Sequence, residues 1–126
     1  MRVVLDTNIF VAAGFNPRSS SARIIEQIRQ GNLAFVWDDP TRRETRKILK
    51  KIPPLKWQRF EDLFSENRQF TGETNPEAYN IVPDYDDRKF AALAAAANAT
   101  LITNDDHLLS VRDKLNITIK TPGEFI

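Results

Sequence analysis

Four acidic side chains stand where predicted strands end or predicted helices begin. Asp6 and Asp105 each follow a short apolar run typical of a buried strand, and Glu44 and Asp87 lie in the first turns of two helices. Parallel strands joined by right-handed crossovers bring all four positions to one edge of a sheet. Carboxylates so close together disfavour joint ionisation unless cations neutralise them. The pattern therefore predicts an oxygen-ligand site for one or two Mg²⁺ or Mn²⁺ ions.

Three of these acids also have a purely structural interpretation. Asp6 and Asp105 are suited to cap the helices that follow them, and for Asp6 taken alone the cap is the favoured role. Glu44 lies one helical turn from Ile48, at the edge of a buried stripe, and an ion pair with a basic neighbour on its own helix would also explain it. Only the joint arrangement of the acids favours a site.

Asp87 belongs to a run of acids that precedes a single helix. Asp84 and Asp86 accompany it, and one helix cap explains only one of the three carboxylates. Asp87 stands three residues before Phe90, on the side of the helix predicted to pack, whereas Asp84 and Asp86 are predicted to cap or to face solvent. Asp87 is therefore the member of this run assigned to the site.

The composition narrows the chemistry. The 126 residues contain no cysteine and a single histidine, which excludes disulfides, thiolate metal sites and a multi-histidine zinc site. The longest apolar run, residues 90–97, is well below the roughly 18 residues that would suggest a membrane span. No apolar signal-peptide region precedes Asp6. We expect a soluble cytoplasmic protein with one domain over residues 1–126.

Short apolar runs alternate with amphipathic segments along the chain. This alternation predicts an α/β fold with a mainly parallel sheet that is covered by helices on both faces. A polar segment rich in proline, residues 72–85, is predicted to be a loop. The predicted strands are residues 3–5, 33–37, 100–103 and 117–119. The predicted helices are residues 7–14, 21–30, 40–51 and 55–68, then one that starts at residue 86 or 87 and runs to about 98, with short ones near 108–109 and 121–125.

Three motifs, in this order and spacing, resemble the PIN-domain ribonucleases. They are LDTN at residues 5–8, DRKFAA at residues 87–92 and LITND at residues 101–105. The helix that carries Glu44 and the ending TPGEF at residues 121–125 resemble the toxin–antitoxin, or VapC-like, branch of that family. The resemblance implies a three-layer fold with four or five strands between helices.

The resemblance also implies roles for particular residues. Asp6, Glu44, Asp87 and Asp105 would be catalytic acids that bind Mg²⁺ or Mn²⁺, with Asp6 between two ions about 3.5–4 Å apart. Their polar neighbours would support them, namely Thr7, Asn8 and Thr103. The implied reaction is hydrolysis of phosphodiester bonds in single-stranded RNA. The sequence departs from many relatives at Asn104, where they carry glycine, and at His107, where they carry aspartate. His107 is expected to be a surface or capping residue.

A strongly basic segment accompanies the acids. Residues 42–59 hold eight basic residues and one acid, a net charge of +7, which leaves −6 for the remainder. Basic side chains beside an acidic cleft are suited to bind RNA phosphates, although a solvated helix face would look the same. The candidates for RNA binding are Arg42, Arg43, Arg46, Lys47 and Lys50. Trp37, Trp57 and Phe60 are expected in the core or between subunits rather than stacked on bases.

Family resemblance further implies a small antitoxin protein as partner and a homodimer, which no residue pattern demonstrates. Two rival functions stay open. One is a catalytically inert PIN-like module that binds RNA or protein. The other is a phosphotransferase or phospho-receiver domain, which also carries an aspartate after its first strand. The second Asp expected two residues later in a phosphotransferase is Asn8 here.

Overall fold

The computed structural model describes residues 1–126 and contains one four-stranded parallel sheet. The strands are β1 (Arg2–Leu5), β2 (Ala34–Phe35), β3 (Thr100–Ile102) and β4 (Ile119–Lys120). Their order across the sheet is β2-β1-β3-β4, so β1 is central and its neighbours both run parallel to it. The α/β fold and the parallel sheet predicted from the sequence are confirmed.

Helices cover both faces of this sheet, and most of them begin at the residues that the sequence indicates. Ser19 caps the second helix through the N–H of Ala22, and Asp38 forms a capping box with Thr41 at the start of the third. No helix is long and apolar enough to cross a membrane. The helices are α1 (Thr7–Phe15), α2 (Ser20–Arg29), α3 (Asp39–Lys50), α4 (Arg88–Ala97), α5 (Asp106–Ser110) and α6 (Pro122–Phe125).

The predicted helix over residues 55–68 is wrong. The segment instead forms three separate 3₁₀ turns, Trp57–Arg59, Glu61–Leu63 and Glu66–Arg68. Its apolar side chains are buried all the same, because these turns let the aromatic rings converge on Phe10 in the core. Apolar residues spaced three to four apart serve successive turns as well as one continuous helix.

Three element boundaries also differ from the prediction. Gly14 lies inside α1 rather than ending it, and a Cβ at this position would lie 2.5 Å from Leu55 Cδ2. Close packing therefore explains this glycine. The second strand is limited to Ala34–Phe35, although Trp37 forms a parallel bridge with Gln69 in the extended piece expected near residue 70. The last strand lies at residues 119–120.

The sheet separates two apolar clusters, and alternation along the strands assigns each side chain to one of them. On β1, Val3 and Leu5 pack with α1, α2 and the aromatic rings, whereas Val4 packs with α4 on the opposite face. The alanine-rich helix α4 is buried along most of its length, which lets it approach the sheet closely. Because β1 is packed on both faces, its last residue carries Asp6 to a fixed point at the sheet edge.

Candidate active site

Asp6 is buried at the carboxyl end of β1 and is held by hydrogen bonds from three neighbours. Its Oδ1 accepts from the Thr7 N–H at 2.8 Å, and its Oδ2 accepts from the Thr103 hydroxyl at 2.7 Å and from the Asn8 amide at 3.3 Å. Burial raises the pKa of Asp6 to about 6, although the bonds from Thr103 and Thr7 oppose this rise. The charges of Asp105 and Glu44 add to the rise.

The polar residues beside Asp6 connect the end of β1, α1, α3 and the segment that follows β3. The Thr7 hydroxyl lies 2.9 Å from the Thr45 hydroxyl of α3, and Asn8 Oδ1 accepts from the Asn104 N–H at 3.2 Å. Thr103 Oγ1 accepts from the Asp105 N–H at 2.9 Å while its hydroxyl donates to Asp6. These bonds fix the orientation of the Asp6 carboxylate.

Asp87 and Asp105 face each other across the cleft. Asp87 ends the 3₁₀ turn before α4, and Asp105 caps α5 by accepting from the His107 N–H at 3.0 Å. Burial is the main reason that the pKa of Asp87 rises to about 9, with further contributions from Asp105 and the charge of Asp6. A hydrogen bond from Asp87 lowers the pKa of Asp105. Without a cation, two facing carboxyl groups this close disfavour joint ionisation.

Glu44 enters the same cleft from α3 but already has a cationic partner. Its Oε1 lies 3.0 Å from Nζ of Lys89, and both side chains are largely shielded from solvent. Lys89 lies in the first turn of α4, two residues after Asp87, so the start of one helix supplies both an acid and a lysine to this region. Glu44 therefore forms an ion pair between helices rather than the predicted alternative within α3.

One cleft brings the four sequence-predicted acids together. The acidic side chains lining it are Asp6, Glu44, Asp84, Asp86, Asp87 and Asp105. Asp84 caps the turn before α4 and is exposed, as is Asp86, so both behave as expected. The cap interpretation is also correct for Asp6 and Asp105, because each carboxylate accepts from a helix N–H while it lines the cleft.

The donor set fits a divalent cation. One ligand atom from each of Asp87, Asp105 and His107 lies within 4.8 Å of the other two. Asp87 Oδ2 is inaccessible to solvent and has no hydrogen-bond partner, which is costly for a carboxylate unless a cation approaches it. Asp6 and Glu44 also line the cleft, and each already accepts a hydrogen bond from a protein donor.

Comparison with protein families identifies the fold to which this cleft belongs. The family model described as PIN domain matches residues 2–107. The chain belongs to the PIN domain family. One curated relative, "Uncharacterized protein MJ1680" of Methanocaldococcus jannaschii, is 30% identical over 150 residues, an alignment that covers 100% of this chain and 90% of the relative.

Three solved structures resemble this fold. This PIN domain superposes with a TM-score of 0.63 on a chain of VapBC2 from Rickettsia felis bound to a DNA fragment from its promoter, at 20% identity, covering 96% of this chain and 98% of that chain. FitAcB from Neisseria gonorrhoeae gives 0.60 at 17% identity, with coverage of 96% and 98%. A structure of FitAB bound to an IR36 DNA fragment gives 0.59 at 15% identity, with coverage of 95% and 94%.

The predicted phosphate-binding residues of this PIN domain differ in their exposure to solvent. Four of the predicted phosphate-binding residues have exposed side chains on α3, and these are Arg43, Arg46, Lys47 and Lys50. The Arg42 guanidinium instead lies over aromatic rings, 5.2 Å from the Trp57 centroid and 6.0 Å from that of Trp37. Trp37, Trp57 and Phe60 are buried, as expected, and do not offer a face to bases.

Lys89 and His107 are the residues near the site to which sequence reasoning gave no role in it. Lys89 stands within the motif at residues 87–92, and its spacing from Asp87 was the available signal. His107 is exposed, in agreement with the expected surface position, yet its ring also approaches Asp105. Lys89 becomes relevant through its contact with Glu44 of another helix, which no local pattern reports, whereas His107 contacts the residue that caps its own helix.

Proposed function

We propose that this PIN domain is an endoribonuclease that hydrolyses phosphodiester bonds of single-stranded RNA with Mg²⁺ or Mn²⁺. The observation that carries the proposal is the cleft in which Asp6, Glu44, Asp87 and Asp105 meet without enough cationic side chains to neutralise them. Asp87 Oδ2, buried and without a partner, supports an ion at this place. Oxygen donors are the ligands that Mg²⁺ and Mn²⁺ favour.

The reaction needs no nucleophile from the protein. Water attacks phosphorus, the new P–O bond forms as the P–O3′ bond breaks, and the 3′ oxygen leaves with a proton. A bound divalent cation supplies Lewis acidity toward the phosphodiester and toward the attacking water. Asp87 and Asp105 would hold the cation, while Thr103 and Asn8 keep the Asp6 carboxylate oriented toward the same cleft.

Substrate binding is assigned to the exposed basic side chains of α3. The same helix carries Glu44 into the cleft, so phosphates bound along its exposed face would lie beside the acids. Lysine and arginine contacts to phosphates release counterions and give salt-dependent affinity. We assign this role to Arg43, Arg46, Lys47 and Lys50, and a lesser one to Arg42 because its guanidinium is stacked.

Partners are part of the same proposal. We infer that the chain acts as the toxin of a toxin–antitoxin pair, is bound by a small antitoxin protein and forms a homodimer. The likeness of the fold to chains from VapBC2 and FitAB supports this assignment. Copurification of the protein of an adjacent reading frame, with mass measurement of the complex, tests this assignment.

The deciding experiment is a cleavage assay on single- and double-stranded RNA and DNA, with Mg²⁺ or Mn²⁺ and with chelator. We expect cleavage of single-stranded RNA that chelator abolishes and that Asp6→Asn reduces by about 10²-fold or more. Asp86→Asn is a matched control, because Asp86 is an exposed acid of the same cleft without an assigned role. Cleavage that survives chelator, or that is equal in Asp6→Asn, contradicts the proposal.

One observation favours an inert binding module as the second candidate. The Glu44–Lys89 pair removes one acid from the set available for cations. An inert module would bind single-stranded RNA with salt-dependent affinity yet leave it intact at every metal concentration. The phosphotransferase alternative has less support, because Asn8, where a second acid is expected, is bonded to Asp6 and to Asn104.

A further inference from the structure

His107 follows Asp105 by two residues, and the start of α5 holds its ring beside the acids. The His107 N–H donates to Asp105 Oδ1 at 3.0 Å, and Nδ1 of the same residue lies 3.9 Å from that oxygen. The ring is exposed, whereas Asp87 and Asp105 are half-buried, and one ligand atom from each of the three residues lies within 4.8 Å of the other two. An exposed imidazole is therefore within reach of a cation bound by the two carboxylates.

Spacing of the donor atoms suits a shared ion. Donors bound to one ion at about 2.0–2.2 Å lie between about 3 and 4.4 Å apart. The 3.9 Å between Nδ1 and Asp105 Oδ1 lies within that range. No two ligand atoms of the three residues are more than 4.8 Å apart, so a small side-chain movement brings every distance into the range. An exposed imidazole rotates freely enough to make such an adjustment.

We propose that His107 donates a ring nitrogen to the divalent cation held by Asp87 and Asp105, which makes this centre favour Mn²⁺ over Mg²⁺. The inference rests on the proposed metal-dependent function and adds the identity of the ion. Mg²⁺ is bound in proteins mainly by oxygen and keeps several of its waters. Transition-metal ions accept imidazole more readily, so one nitrogen ligand shifts the preference toward Mn²⁺.

A competing role for His107 is that of a counter-charge to the two carboxylates. The two roles predict opposite effects when the ring is removed. Loss of a ligand weakens cation binding, whereas loss of a competing positive charge strengthens it. Measurement of metal affinity in a His107→Gln variant therefore separates them, and the exposed position of the residue predicts that this variant folds normally.

The test uses this chain without an affinity tag, and the probes are Mn²⁺ and Mg²⁺, each added alone. Since His107 is the only histidine, a directly coordinated nitrogen detected by pulsed electron paramagnetic resonance can be assigned to it. We expect nitrogen coupling in the wild type, its loss in His107→Gln, and Mn²⁺ binding weaker by about tenfold with little change for Mg²⁺. His107→Asp should bind both ions and lose the preference.

Asp106→Asn is the control for a general change of charge at this exposed turn, and it should keep both the nitrogen signal and the preference. Bound Mn²⁺ without nitrogen coupling, or equal Mn²⁺ and Mg²⁺ effects in His107→Gln, overturns the inference while RNA cleavage can still stand. Nitrogen coupling in a protein that cleaves no RNA overturns the proposed function and leaves the inference standing. Absence of Mn²⁺ binding overturns the inference, and absence of both Mn²⁺ and Mg²⁺ binding overturns the proposed function as well.

Discussion

The two sides of the acidic cleft solve the same electrostatic problem differently. On the α3 side, Glu44 is neutralised by Lys89 at 3.0 Å, so the protein carries its own cation. On the α4–α5 side, Asp87 and Asp105 face each other without such a partner, and the pKa of Asp87 rises to about 9 as a result of burial and of these acids. The difference indicates which side is built to receive a cation from solution.

The start of α4 supplies a charged residue to each side of the cleft. Asp87 immediately precedes α4, and Lys89 lies in its first turn, so the two side chains leave the helix in different directions. The nearby Arg88 does not neutralise Asp87, because its guanidinium donates to the carbonyl oxygens of Asn80 and Val82. Asp87 therefore has no cationic partner, because the side chains of Arg88 and Lys89 both bind other groups.

Removing one acid from each side of the cleft tests this difference most directly. We expect Asp105→Asn to weaken Mn²⁺ binding by about 100-fold, since it deletes a charged ligand of the uncompensated pair. Glu44→Gln should weaken it by at most about tenfold, because Glu44 is already neutralised by Lys89. Isothermal titration of Mn²⁺ into both variants measures the two effects. Equal losses would mean that both sides bind the cation alike.

The metal-free protein should lose stability as pH rises. Asp6 has a pKa of 3.8 in the unfolded reference and about 6 in the fold, so the folded state binds the proton more tightly. Stability is then greatest near pH 4 and falls as pH rises, by about 3 kcal/mol at Asp6 alone. Asp87, with its pKa of about 9, extends the decline toward pH 9.

Urea unfolding in chelator at pH 5 and pH 8 measures this decline. Asp87→Asn should flatten the upper part of the profile, because it removes the group that titrates there. Saturating Mn²⁺ should offset the loss at pH 8, since a cation that binds only the folded state stabilises it. A free energy of unfolding that rises between pH 5 and pH 8 without metal would contradict the assigned shifts.

Local signals predicted the backbone well, and tertiary contacts account for what they missed. Ser19 and the Asp38–Pro40 start are local features, and both helices begin there. The failed helix at residues 55–68 shows the limit, because periodic burial does not distinguish a helix from successive turns. A mean spacing of apolar residues contains no information about the rings against which they will pack.

The sequence predicted which acids meet in the cleft, but it did not predict which of them has a cationic partner. Strand ends and helix starts led to the four acids assigned to the site, among the six that line the cleft, since topology alone brings those positions together. The partner of Glu44 lies 45 residues away, and its identity depends on how α3 approaches α4. For the same reason the strong rise in the pKa of Asp87 could not be predicted, as it depends on burial and on facing carboxylates.

Removing one charged residue from each side of the cleft should change the stability of the metal-free protein in opposite directions. Lys89→Met should destabilise the metal-free protein by about 1–2 kcal/mol, because it leaves the largely buried Glu44 without its partner. Asp87→Asn should stabilise the same protein at pH 8, since the raised pKa of Asp87 costs free energy of folding at any pH above its unfolded value of 3.8. The double variant Lys89→Met/Glu44→Gln should recover much of the first loss. Urea unfolding at pH 8 in chelator compares all three variants, and destabilisation by Asp87→Asn as large as that by Lys89→Met would show that the two sides do not differ in compensation.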